Sequence, residues 1–84
     1  MTTFDFGAGP VPAHQHSNGG GWVADTATVS ETAYVGPDAV VFNDAEVFDN
    51  ARVYDNAWVF GNARVSGNAV VYGYARVSGN SKGS

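Results

Sequence analysis

At 84 residues the chain has room for one domain with a thin core, and the lack of cysteine excludes disulfide staples and thiolate metal sites. No apolar run is long enough to span a membrane, and the opening MTTFDFGAGP lacks the basic start and apolar stretch of a signal peptide, so a cytoplasmic protein is expected unless it leaves the cell within a larger particle. The net charge of −4 is unevenly spread: seven acids and no lysine or arginine precede Arg52, whereas Arg52, Arg64, Arg76 and Lys82 are opposed afterwards by Asp55 alone.

Residues 1–21 come first and show no periodicity. FDFGAGPVPAHQHSNGGG holds two prolines and closes on three consecutive glycines, which predicts an irregular leader ending in a glycine turn. Phe4, Phe6 and Val11 are its sizeable apolar groups and are expected to fold over the open end of whatever follows. His14 and His16 are the only histidines. On extended chain an i, i+2 pair projects to one side, with its Cα atoms roughly 6.5–7 Å apart. Imidazole is a common neutral metal ligand, so the pair is a candidate metal site. The plainer alternative is two solvated side chains, and no other cofactor is expected.

From Trp22 to Ser81 the chain repeats every six residues without a gap: WVADTA, TVSETA, YVGPDA, VVFNDA, EVFDNA, RVYDNA, WVFGNA, RVSGNA, VVYGYA, RVSGNS. Each of the ten units has valine second, and all but the last have alanine sixth. A short period held this long marks a stacked solenoid, here a parallel β-helix. Valine second points inward while its strand neighbours point outward. Alanine is a poor strand former, so its recurrence is better explained by a tight corner that admits only a small side chain. The Asp, Asn and Gly residues between them tolerate the backbone angles of such corners. The chain therefore divides into an irregular cap (1–21), a repeat domain (22–81) and a polar tail (82–84). RVSGNSKGS leaves the last coil without a hydrophobic cap, and Ser78, Lys82 and the glycines there are expected either to discourage edge pairing or to receive another molecule.

An aliphatic residue followed four places on by a small one resembles the hexapeptide repeat of left-handed β-helix proteins. TVSETAYVGPDAVV in particular resembles the opening coils of gamma-class carbonic anhydrases and hexapeptide acyltransferases. The resemblance implies an all-β fold with three units per coil, hence about 3.3 coils of 18 residues, and a homotrimer. Units taken in threes sort the outward side chains into faces. The first carries Trp22, Val40, Phe42, Trp58 and Phe60, a large apolar ladder expected to form the oligomer interface. The second, with Thr28, Glu46, Phe48 and Arg64, is mostly polar. The third holds Tyr34, Arg52, Tyr54, Val70 and Tyr72, with Tyr74 in an adjoining corner, where it is expected to cover that corner. Chains this small usually need burial beyond their own core, which also favours self-association. In a trimer the His14/His16 pair would occur three times around one axis.

The resembled enzymes use coil or loop histidines as metal ligands or general base. Residues 22–81 contain none, so no catalytic residue carries over and catalysis is not expected. Corner acids such as Glu31, Asp38, Asp49 and Asp55 read as solvated turn residues rather than cation ligands. Thr26, Thr28 and Thr32 do not stack, which excludes a threonine ladder for ice. Four cations are too few to predict nucleic-acid binding. The favoured function is a non-enzymatic trimeric module within a larger assembly. The leader and its GNARV units resemble, more loosely, small bacterial and bacteriophage hexapeptide proteins, which makes a phage particle the alternative location. The second reading is a small-ligand binding protein whose subunit clefts are lined by Arg52, Tyr54, Tyr72 and Tyr74. A metal-dependent, carbonic anhydrase-like enzyme is the third.

Overall fold

A computed structural model describes residues 2–7 and 9–78. Those residues form twelve strands and no helix. Strands β1 (Thr3–Asp5) and β2 (Pro10–Gln15) belong to the leader. The repeats supply β3 (Trp22–Ala24), β4 (Thr28–Val29), β5 (Tyr34–Val35), β6 (Val40–Val41), β7 (Glu46–Val47) and β8 (Arg52–Val53). They continue as β9 (Trp58–Val59), β10 (Arg64–Val65), β11 (Val70–Val71) and β12 (Arg76–Val77).

These strands stack into a β-solenoid of about three turns. Three parallel ladders form its sides, in the orders β3-β6-β9-β12, β4-β7-β10 and β5-β8-β11. Register advances by eighteen residues per turn, as in Trp22 beside Val40, Thr28 beside Glu46 and Tyr34 beside Arg52. Each coil donates main-chain N–H groups to the next, for example Thr28 N to Ala45 O (3.0 Å) and Ser30 N to Val47 O (2.8 Å). The inward valines Val23, Val35, Val41, Val47, Val53, Val59 and Val65 are completely buried, and alanines from Ala33 to Ala63 share that core. Period-two alternation and the small corner residue therefore place the core where the repeat predicts.

Corners close by a hydrogen bond from the alanine N–H to the carbonyl three residues before it. They come in two forms. In the first coil, around Asp25, Glu31 and Pro37, the closing bonds measure 2.9–3.0 Å. Later corners place Asn43, Asp49, Asp55, Gly61, Gly67 and Gly73 at φ of 59–66°, and the closing bonds of all but the Asp49 corner measure 3.2–3.4 Å. Positive φ at the first central position is the sign pattern of a type II′ turn, which Gly, Asn and Asp tolerate best. Proline cannot adopt it, so the Pro37 corner belongs to the first form.

The leader differs from its expectation. It is not irregular: β1 pairs antiparallel with β2, and β2 pairs antiparallel with β3, setting Ala13 beside Ala24 and Gln15 beside Trp22. Asp5 ties the hairpin turn by accepting from Gly7 N (2.7 Å) and Gly9 N (3.2 Å). The upper edge of β3 supplies the reason, since its main-chain groups have no coil above them and β2 satisfies them. Phe4 and Phe6 do not cover Val23; they lie on the first face, and Val11 stays exposed. The expected polar tail, 82–84 with Lys82, lies outside the described residues.

Candidate functional site

Stacking at eighteen residues builds an aromatic column outside the core on the first face. Phe42 and Phe60 stack at 5.1 Å between ring centroids, and Trp58 meets them edge-on at 5.9 and 6.4 Å. The leader extends the column with Phe4 on Trp22 (4.8 Å) and Phe6 on Phe42 (4.9 Å). At the lower end the Arg76 guanidinium lies 4.2 Å from the Trp58 ring centre, a cation–π contact. Its Nη1 donates to the carbonyls of Asn56, Tyr74 and Ala75, which holds it there. Trp22, Val40, Phe42, Trp58 and Phe60, expected as an exposed interface, are thus each partly buried within a single chain.

The third face is barer. Tyr54 and Tyr72 stack at 5.8 Å, yet Val70 is 45%, Tyr72 59% and Tyr74 78% exposed. Tyr74, expected to cover its corner, leaves most of its side chain open to solvent. Of the expected cleft residues, Arg52 and Tyr54 line one hollow of about 400 Å³ with Tyr34, Pro37, Asp38 and Asp55. Tyr72 joins only through its stack on Tyr54, and Tyr74 is not among the lining residues. A larger groove, about 620 Å³, runs between the leader hairpin and the first column of corners. Phe6, Val11, Pro12 and Phe42 are its large apolar lining residues, and Asp25 and Asp44 also line it.

The two histidines have separate partners. His14 Nδ1 lies 2.8 Å from Asp25 Oδ1 in an exposed pair. His16 is buried, and its Nε2 lies 2.8 Å from the Ala33 carbonyl oxygen. A carbonyl only accepts, so His16 carries its proton on Nε2, and Nδ1 is the nitrogen left for a metal. Among the described residues no three His, Cys, Asp or Glu side chains gather as a metal site. Corner acids are occupied as turn residues: Asp49 accepts from Gly67 N (3.2 Å) and Asp55 from Gly73 N (3.3 Å) in the coil below.

Sequence reasoning missed the group that finishes the top of the solenoid. Asn18 Nδ2 joins His16 on the Ala33 carbonyl (3.2 Å), Asn18 O accepts from Val35 N (3.0 Å), and Gly21 N donates to Val35 O (2.9 Å). Together they replace the coil that would otherwise lie above β5. The usable signal was the glycine run, because a Cβ on Gly21 would fall 2.3 Å from both Gly36 O and Val35 Cγ1.

Residues 45–61, 57–73 and 63–79 match the family model described as YdcK Beta solenoid repeat. The chain is a β-solenoid repeat protein. Matched stretches and stacked ladders agree on that fold, while likeness to carbonic anhydrases is not shown. No curated protein and no solved structure matches the chain. Among the described residues no helix is long and apolar enough to cross a membrane.

Proposed function

We propose that this solenoid is a non-enzymatic, self-associating module, a short rigid trimeric prism that serves as a structural or interaction element of a larger assembly. The observation that carries the reading is the strip formed by Val70, Tyr72 and Tyr74, three large side chains left open on a small rigid body. Aromatic groups presented on rigid backbone are characteristic of interfaces. The trimeric state rests on the hexapeptide resemblance. Because the leader and Arg76 already cover much of the first-face column, the tyrosine strip is the better candidate for the subunit contact. Tyr72→Ser with Tyr74→Ser removes that contact without touching the valine core. Size-exclusion chromatography with light scattering should show the double variant shifted to monomer, and Trp58→Ala with Phe60→Ala losing stability before losing assembly. An unchanged oligomer in the tyrosine variant would sink the assignment of this face.

A second reading draws on the hollow that joins Arg52 to Tyr34 and Tyr54. A guanidinium and two phenol groups lining one hollow suit a small anionic or aromatic ligand, held by charge and stacking. Protein purified without exchange into strong salt would then retain such a ligand, and Arg52→Ala would release it. A preparation free of bound organic mass would count against this reading.

A further inference from the structure

We infer that the upper edge of β4 is a docking site for one extended, basic segment of a partner protein, added as a strand to the second side of the solenoid. The inference is independent of the subunit contact proposed above, which lies on another side.

Hydrogen-bond accounting at the top of the first coil carries it. In each side ladder the residues at positions one and three donate downward, so the position-two valine N–H and C=O, with the preceding alanine C=O, point upward. On the third side these three groups are Ala33 O, Val35 N and Val35 O, and the leader satisfies all of them. On the first side β2 pairs along β3, and His16 N donates to Gly21 O (2.8 Å). On the second side the equivalent groups are Ala27 O, Val29 N and Val29 O. Strand β4 is the end of its sheet, and among the described residues none of these three groups has a hydrogen-bond partner. Val29 is only partly buried, whereas the equivalent Val23 and Val35 are completely buried.

An acceptor, a donor and an acceptor in strand order are complemented by extended main chain. A second prism stacked in the same direction cannot supply it. With its β10 above β4, its β9 would occupy the place of β2 above β3, where the leader already lies. The occupant is therefore a lone strand. Its charge follows from the ends of the edge: Asp25 occupies the corner before β4 and Glu31 the corner after it, both exposed, and no lysine or arginine precedes Arg52. An arginine or lysine in the added strand meets Glu31 at one end, while Asp25 at the other is already paired with His14.

The chain's own β10 sequence furnishes a probe, the blocked peptide acetyl-GNARVSG-amide. In the inter-coil register its arginine and serine N–H groups donate to Ala27 O and Val29 O, and Val29 N donates to its arginine carbonyl. Amide exchange of the full-length protein followed by NMR provides the readout. In free protein Val29 N–H should exchange at least roughly tenfold faster than Val35 N–H, and millimolar peptide should slow it by a similar factor. A peptide N-methylated at arginine and serine should have no effect, and Glu31→Lys should weaken binding by roughly two- to fivefold. Slow exchange of Val29 in the free protein would overturn the inference by showing the edge already covered. A concentration-dependent slowing without peptide would assign the edge to a second copy instead. Equal protection by the N-methylated peptide, or none by the parent peptide, would also overturn it.

Discussion

His14 and His16 are two residues apart and alike in chemistry, yet their environments give them different work. His16 is buried with its Nε2–H on a main-chain oxygen, whereas His14 forms an exposed pair with Asp25. Losing the buried His16 bond costs about 0.5–1.5 kcal/mol, since Asn18 still serves the Ala33 carbonyl, and the emptied ring site adds to that loss. Removing one partner of an exposed pair costs about 1 kcal/mol or less. Urea denaturation should therefore rank His16→Ala well below His14→Ala in stability; equal losses would contradict the capping role of His16. Gly21 invites a sharper test. An added Cβ there meets backbone and a core valine at 2.3 Å, so Gly21→Ala should cost about 1–3 kcal/mol through overpacking. Unchanged stability would mean that the leader does not pack against the third side as described.

At the scale of elements, the repeat strands were legible because each is decided locally. Valine, its two outward neighbours and a small corner residue recur on one period, and stacking reproduces that choice in every coil. The corner chemistry was legible as well: Gly67 sits at φ +65° with open space where a Cβ would go. Gly67→Ala should thus cost only the left-handed strain, about 1–2 kcal/mol, and Gly67→Asn less, as measured by thermal unfolding. Equal effects of the two substitutions would remove φ as the reason for glycine there. The leader was not legible, because its strands answer a non-local demand. Pro10 and Pro12 argue against a strand when read alone; Pro10 starts β2, and Pro12 lies just outside the pairing with β3, which begins at Ala13. What makes β2 a strand is the open edge of β3, which no local pattern announces. Phe4 and Phe6 were recognised as apolar but assigned to the wrong surface for the same reason.

For the whole molecule, the outward faces were sorted correctly by the period, but their exposure was not. Trp22, Phe42 and Trp58 looked like the bare surface until Phe4, Phe6 and Arg76 came to rest on them. Tyr72 was read as a cleft residue and Tyr74 as a corner cover, and they are the most exposed large hydrophobic side chains among the described residues. The proposed lateral contact through the tyrosine strip and the inferred strand addition at β4 would use separate surfaces, so the two proposals are compatible in one module. The leader blocks plain end-to-end stacking on the first side, which limits fibre growth from a chain with open strand edges. The central claim is a self-associating module that carries no chemistry of its own. A native mass spectrum of untagged protein, purified without chelators, tests it most directly. A bare trimer is the predicted result, and a bare monomer, or a trimer carrying stoichiometric metal or organic mass, would contradict it.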